Sequence, residues 1–141
     1  MTRGLVLVDS SLLIEALRIG GDPAAVERVR QLLVADRLAV WEAVIAEMLV
    51  GARGEPDYRR LRSRLASRRI LPCPPDVGGR AGRLGFELRR QGYSVPLVDL
   101  ATAVVATHHG VELLHRDRHF QTIAEFCDLR QEYVEPGGIT G

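Results

Sequence analysis

Short apolar runs alternate along this chain with longer segments in which apolar residues recur at helical spacing. The runs 5–8, 38–40 and 111–114 predict buried strands, because a parallel strand that is covered on both faces is apolar at successive positions. Brief strands are also predicted at 70–71 and, at an edge of the sheet, at 129–134. Strands that alternate with helices predict an α/β fold with a mostly parallel central sheet flanked by helices.

The helical segments have recognisable starts and buried faces. Asp22 and Pro23 predict the start of one helix, as N-cap and first-turn residue. The face of this helix that we expect in the core consists of Val26, Val29, Leu32 and Leu33. Segment 97–109 is apolar nearly all round, which predicts a helix at the centre of the domain. The predicted helices span 11–19, 23–36, 43–53, 56–69, 77–92, 97–109 and 119–126.

Length and composition limit the classes of function. A chain of 141 residues suits one domain, which we place at 1–135, with a flexible tail at 136–141. The net charge is only +1, but all 19 basic residues are arginine. The absence of lysine excludes a Walker-type phosphate-binding lysine, a Schiff-base lysine and a lysine general base. Arginine is the side chain best suited to bidentate contacts with phosphate.

Neither the cysteines nor the apolar content points to an exported or membrane protein. Cys73 and Cys127 are the only cysteines, and they predict free thiols rather than a disulfide or a metal site. The N-terminus does not read as a signal peptide, and no run approaches the ~20 apolar residues that a membrane span needs. We therefore expect a soluble, cytoplasmic protein without a membrane partner.

Four acidic side chains lie at or near the ends of apolar runs: Asp9 after 5–8, Glu47 within 44–50, Asp99 after 95–98 and Asp117 after 111–114. Because the carboxyl ends of parallel strands meet at one edge of a sheet, we expect these side chains to converge. Carboxylates that share a site repel each other unless a hard divalent cation is present, and Mg²⁺ and Mn²⁺ prefer oxygen ligands. The pattern therefore indicates a metal-dependent enzyme.

Each acidic residue also has a structural explanation when it is taken alone. Asp9 could cap the following helix, and Asp99 could satisfy free amides at a helix N-terminus. Glu47 could be a solvated helix residue and Asp117 an ordinary turn residue. The joint placement of the four favours a shared site, because three of them follow strand-like runs.

Four sequence motifs resemble those of the PIN-domain family, and within it the compact VapC-type ribonuclease toxins. They lie at 5–17, 45–53, 99–107 and 113–120, in the order and spacing of the family, and together they span almost the whole chain. The resemblance places the acidic quartet of the family on Asp9, Glu47, Asp99 and Asp117, as metal ligands and catalytic residues. It also places a hydroxyl that helps to hold a metal-bound water on Ser10.

The resemblance implies an endoribonuclease that uses Mg²⁺, with Mn²⁺ as the alternative, to hydrolyse RNA by metal-activated water. The expected substrate is single-stranded or loop RNA, whose phosphates are accessible. It further implies the toxin of a toxin–antitoxin pair, which acts as a homodimer and is silenced by a cognate antitoxin whose tail enters the acidic groove.

RNA that approaches a carboxylate cluster needs cations at the rim of the site. Arg116 and Arg118 flank Asp117 and are the predicted contacts to the RNA backbone. A second candidate is the helical face that carries Arg60, Arg64 and Arg68, for which a solvated surface is the alternative.

Two histidines depart from the family pattern. His115 stands where the family usually has Thr or Ser, and His119 stands where it often has a further Asp. The two histidines are interpreted as ordinary surface residues, with metal-adjacent proton donors or RNA contacts as the alternatives.

Three other functions compete with the nuclease hypothesis. A phosphate-transfer receiver domain would need a lysine that this chain lacks. A metal hydrolase built on the four histidines has no HExxH-like pair to support it. A catalytically silent PIN-like module that binds RNA or a partner stays open because of the substitution at His115.

Overall fold

The computed structural model describes residues 4–137, and its strands form one parallel five-stranded sheet. The strands are β1 Val6–Val8, β2 Leu38–Val40, β3 Arg69–Ile70, β4 Glu112–His115 and β5 Gln131–Tyr133. Their order across the sheet is β3-β2-β1-β4-β5, and each neighbouring pair is parallel. The predicted α/β fold with a central parallel sheet is confirmed.

Helices connect the strands and cover both faces of the sheet, as parallel crossovers require. In the described part of the chain they are α1 Ser10–Leu17, α2 Pro23–Val34, α3 Glu42–Val50, α4 Glu55–Ala66, α5 Val77–Arg90, α6 Leu97–His109 and α7 His119–Ile123. The predicted bounds of α6 agree with the structure at both ends, and Asp22 caps α2 by accepting a hydrogen bond from the N–H of Ala25 at 3.1 Å.

The strand order places a ligand crevice beside the carboxyl end of β1. The chain leaves β1 toward β2 on one side and later returns to β4 on the other, so β1 lies at a topological switch point. Asp9 directly follows β1, and its N–H donates to the carbonyl of Leu114 in β4 at 2.9 Å. Asp117 follows β4 by two residues. The sheet therefore brings two of the acidic residues to one edge.

Helix α6 is buried against the sheet and is fixed there by a polar contact in the core. The indole Nε1–H of Trp41 donates to Oγ1 of Thr102 at 3.1 Å, and that hydroxyl donates to the carbonyl of Val98 at 2.7 Å. Both side chains are buried, so the satisfied pair specifies how α6 sits on the end of β2. This contact lies one turn from Asp99 and orients the first turn of the helix.

Several local predictions are wrong. Run 95–98 is not strand-like, because 97–98 already belongs to α6, so Asp99 is a first-turn helix residue. Val26 is 40% exposed, and Ala25 takes the buried position on α2 instead. The predicted helix 56–69 ends at Ala66, where the chain turns into β3.

The remaining predictions concern the C-terminal tail, the two cysteines and membrane-spanning helices. The predicted flexible tail is 136–141, of which 138–141 lie outside the described residues. In the described part of this tail, the N–H of Gly137 donates to Oδ1 of Asp22 at 2.8 Å. Cys73 and Cys127 are free thiols. Among residues 4–137, no helix combines the length and apolar character needed to cross a membrane.

Candidate metal centre

Asp9 is buried at the N-terminus of α1 with one oxygen left without a partner. The side chain caps α1, because Oδ2 accepts a hydrogen bond from the N–H of Ser11 at 3.0 Å. Oδ1 is buried and has no hydrogen-bond partner among the described residues. Because the residue is only 2% exposed, bulk water does not readily replace that partner. Burial raises the pKa of Asp9, the hydrogen bond to Ser11 partly offsets this, and the charge of Asp117 adds to the increase.

Asp99 lies in the first turn of α6 and is 8% exposed. Burial raises its pKa to about 6, and the charges of Asp9 and Asp117 act in the same direction, while a hydrogen bond from His119 opposes the shift. The unfavourable desolvation of this carboxylate is therefore only partly compensated by protein groups.

Asp117 and His119 form the third side of the centre. Oδ1 of Asp117 accepts a hydrogen bond from the backbone N–H of His119 at 2.9 Å. The imidazole Nδ1 of His119 lies 3.0 Å from Oδ2 of Asp99 and 3.2 Å from Oδ1 of Asp117. One donor atom from each of these three residues lies within 4.8 Å of the other two. Two carboxylates and an imidazole thus converge on one point.

Glu47 joins the site from α3 and is more exposed than the three aspartates. The hydroxyl of Ser10 donates to its Oε1 at 2.8 Å, which fixes the carboxylate over the start of α1. Burial raises the pKa of Glu47, the bond from Ser10 lowers it, and the charges of Asp9 and Asp117 raise it further. The four predicted acidic residues are therefore coupled electrostatically, and Ser10 is the residue that holds the fourth.

His115 is not a surface residue, and that part of the sequence interpretation is wrong. The residue is fully buried at the end of β4, where its ring packs on Phe120 and Tyr133 with centroids 4.9 and 5.7 Å away. Nδ1 accepts a hydrogen bond from the N–H of Asp117 at 3.1 Å, so Nε2 carries the proton and donates to Oε1 of Gln131 at 2.6 Å. Burial lowers the pKa of His115 and favours this neutral form. The imidazole thereby positions the Asp117 loop.

The two arginines beside Asp117 occupy different environments. The side chain of Arg116 is 10% exposed, and its guanidinium donates to Oδ2 of Asp22 at 2.9 Å and to the carbonyl of Val134 at 2.8 Å. Arg118 is exposed and lies over the ring of Tyr133, 4.8 Å from its centroid. These contacts favour a structural role for Arg116, and they leave Arg118 as the better candidate for contact with an RNA phosphate.

The predicted arginine row on α4 is not a free cationic face. Arg60 donates to Oδ1 of Asp57 at 2.8 Å. Arg68 lies beyond the end of the helix and donates to the carbonyl of Arg64 at 3.0 Å and to the hydroxyl of Ser67 at 2.8 Å. Of the three, only Arg64 has no side-chain partner among the described residues, which weakens the case for a second RNA surface here.

The residues of the centre fit a divalent cation. Asp9 presents an unpartnered buried oxygen, and the pKa values of Asp9, Glu47 and Asp99 are raised by burial without a basic side chain close enough to neutralise them fully. An ion with oxygen ligands supplies that missing charge. His119 was interpreted from the sequence as a surface residue, with a metal-adjacent role as the alternative, and the structure places it against Asp99 and Asp117. Its position two residues after Asp117 could have indicated that its N–H reaches that carboxylate.

Comparison with known proteins assigns the class. The PIN-domain family model matches residues 6–126, and the chain therefore belongs to the PIN-domain family. Ribonuclease VapC11 of Mycobacterium tuberculosis is 32% identical over 130 residues, which cover 89% of this chain and 96% of that relative. Ribonuclease VapC21 of the same species is 32% identical over 119 residues, which cover 82% and 86%.

Solved structures share the fold. VapBC2 from Rickettsia felis, bound to a DNA fragment from its promoter, superimposes with a TM-score of 0.74 at 18% identity, covering 93% of this chain and 99% of that chain. VapC20 of Mycobacterium tuberculosis, a toxin that cleaves the sarcin–ricin loop, superimposes with a TM-score of 0.63 at 20% identity, covering 89% and 98%.

Proposed function

We propose that this protein is a divalent-metal-dependent endoribonuclease, the toxin of a toxin–antitoxin pair, that cleaves single-stranded or loop regions of RNA. The observation that carries the proposal is the buried, unpartnered Oδ1 of Asp9 beside Asp99 and Asp117. An arrangement that buries the carboxylates of Asp9 and Asp99 near a third is costly for folding, and a cation offsets that cost. The ribonuclease names of the relatives supply the reaction class.

Asp9, Asp99 and Asp117 would hold the cation, which we take to be Mg²⁺ or Mn²⁺. When bound, the cation supplies charge stabilisation for the phosphate oxygens and lowers the pKa of the attacking water. Glu47 faces solvent beside this centre, and we assign it the acceptance of the proton that the attacking water loses. Ser10 keeps Oε1 of Glu47 in place, so Oε2 is the oxygen available for that proton. Asp117 is held in turn by His115, because the backbone N–H of Asp117 donates to Nδ1 of His115.

Arg118 is the proposed contact to the RNA backbone, since it is exposed at the N-terminus of α7, next to Asp117. Arg116, predicted from the sequence for the same task, is assigned here to holding the C-terminal segment. The cognate antitoxin would neutralise the acidic centre with a basic side chain, because a positive charge complements the carboxylates of that site. A homodimer that acts in the cytoplasm completes the proposal.

The proposal is tested by incubating end-labelled RNA with the wild type in Mg²⁺ or Mn²⁺, with and without a chelator. We expect cleavage that depends on the metal and that Asp9→Asn and Asp99→Asn abolish. Asp76→Asn is the matched control, because Asp76 is exposed and its carboxylate forms an ion pair with Arg80, away from the centre. Metal-dependent cleavage that survives in both site variants would refute the site. Tight RNA binding without cleavage by the wild type would favour the catalytically silent module instead.

A further inference from the structure

His119 gives this centre a nitrogen donor among its carboxylates. Its Nδ1, not Nε2, faces Asp99 and Asp117, at 3.0 and 3.2 Å. The backbone N–H of His119 also donates to Oδ1 of Asp117 at 2.9 Å, which places the residue beside that carboxylate. The contact is a hydrogen bond when Nδ1 carries a proton, and Nδ1 has a free lone pair in the other neutral tautomer.

The separations also suit a common cation. Nδ1 lies 3.0 and 3.2 Å from the two carboxylate oxygens, and the donor atoms of the three residues all lie within 4.8 Å of one another, close enough for one cation to contact all three. With Nδ1 as ligand, the proton belongs on Nε2, and the side chain is 43% exposed, so water can accept that hydrogen bond. The unpartnered Oδ1 of Asp9 is a second, independent sign that the centre lacks a positive partner.

We infer that His119 is a direct metal ligand through Nδ1, and that it biases the centre toward Mn²⁺ over Mg²⁺. The inference rests on the metal centre of the proposed function and deepens it by naming the preferred ion. Mg²⁺ strongly prefers oxygen ligands, whereas imidazole binds first-row transition ions well and Mn²⁺ accepts both donor types. A centre of carboxylates with one imidazole therefore discriminates between two ions that an all-carboxylate centre would bind more equally.

The test measures binding rather than activity. The Kd of Mn²⁺ is obtained from the electron paramagnetic resonance signal of the free ion, and that of Mg²⁺ from competition against Mn²⁺. Loss of an outer partner of a metal ligand typically costs about 10- to 100-fold in affinity, so exchange of a ligand should cost at least as much. We expect His119→Asp, which offers an oxygen instead, to lower the preference for Mn²⁺ over Mg²⁺ by about tenfold. His108→Ala, on the exposed end of α6, is the matched control and should change nothing.

Pulsed electron paramagnetic resonance of bound Mn²⁺ gives a second readout in the wild type itself. We expect modulation from a directly bound imidazole nitrogen, which changes when the protein is labelled with ¹⁵N-histidine and disappears in His119→Asp. If Mn²⁺ binds the wild type without nitrogen coupling, and Asp99→Asn abolishes this binding, the role of His119 is overturned and the carboxylate centre is retained. Mn²⁺ that does not bind the wild type, or binds Asp99→Asn equally well, would overturn both.

Discussion

The acidic centre and the Asp22–Arg116 pair both contain aspartates, but the pKa values of these aspartates shift in opposite directions. Asp22 accepts hydrogen bonds from Arg116, from the N–H of Ala25 and from the N–H of Gly137. Desolvation raises the pKa of Asp22, but these hydrogen bonds outweigh that effect and hold the pKa below its usual value. At the centre, burial raises the pKa of Asp9 and Asp99, and one oxygen has no protein partner among residues 4–137.

The difference separates a stabilising pair from a functional one. The pair is complete within the protein, and it ties α2 to the segment after β5, where Arg116 also donates to the carbonyl of Val134. The centre is incomplete within the protein, because its carboxylates are brought together against their mutual repulsion. Variants of the pair should therefore lower stability and spare metal binding, whereas variants of the centre should do the reverse.

The largest effect is expected from Asp99→Asn. Loss of a ligand should weaken Mn²⁺ binding by at least about 100-fold. The metal-free variant should nevertheless be more stable at neutral pH by about 1 to 3 kcal/mol, because a carboxyl whose pKa is raised to about 6 disfavours the folded state when it is ionised. Isothermal titration and urea unfolding measure the two quantities. If the variant is less stable and binds Mn²⁺ normally, Asp99 stabilises the fold and is not a metal ligand.

Metal binding should weaken in acid because of the same residue. Asp99 must lose a proton to bind a cation, so the affinity should fall below pH 6 by up to about tenfold per pH unit. The metal-free protein should show the opposite trend: its stability falls as pH rises from about 4 to 6, since the folded state keeps a proton that the unfolded chain has released. Titrations and unfolding curves from about pH 4 to 8 provide the check, with Asp99→Asn as a control in which both dependences are reduced.

Arg116→Met should break the stabilising pair. The variant removes the guanidinium from Asp22 and from the carbonyl of Val134, and we expect the unfolding midpoint to fall by about 5 °C or more. The Kd for Mn²⁺ of the folded protein should stay within about twofold of the wild type, since the guanidinium of Arg116 donates to Asp22 and to the carbonyls of Val134 and Glu135, none of which belongs to the centre. Calorimetry and titration distinguish the outcomes. A normal midpoint with weakened RNA binding would restore the substrate contact predicted for Arg116 from the sequence.

The apolar pattern predicted β1, β2, β4 and the central helix because most of their residues are apolar and buried: β2 has its predicted bounds, and α6 spans the predicted 97–109. It also identified four acidic residues that the structure couples electrostatically. Contacts between distant segments could not be predicted, because they depend on packing. Neither the burial of Arg116 on Asp22 nor the bond between His119 and Asp99 follows from spacing along the chain.

A smaller effect is expected from Gln131→Leu. The change leaves the Nε2–H of His115 buried without an acceptor, which should cost about 1 to 3 kcal/mol of stability. Because His115 also holds the N–H of Asp117, we expect Mn²⁺ binding to weaken severalfold, less than in Asp99→Asn. Gln131→Glu keeps an acceptor and should retain more of both properties. Unchanged metal affinity in Gln131→Leu would show that His115 serves the fold alone.

The smallest effect is expected from Arg118→Gln. If this exposed arginine contacts one phosphate, RNA binding should weaken only severalfold, and the slope of log affinity against log salt should decrease by about one. The measurement is filter binding in an Asp9→Asn background, which prevents cleavage. Arg62→Gln, on the exposed surface of α4, is the matched control. An unchanged slope would remove Arg118 from the interface.

The most direct test of the central claim compares the unfolding midpoints of the wild type and Asp9→Asn with and without saturating Mn²⁺. Asparagine keeps the cap on α1 but removes the buried charge. We predict a reversal of order: the variant is the more stable protein without Mn²⁺, and the wild type is the more stable protein with it. The same order under both conditions would contradict a cation centre built on Asp9.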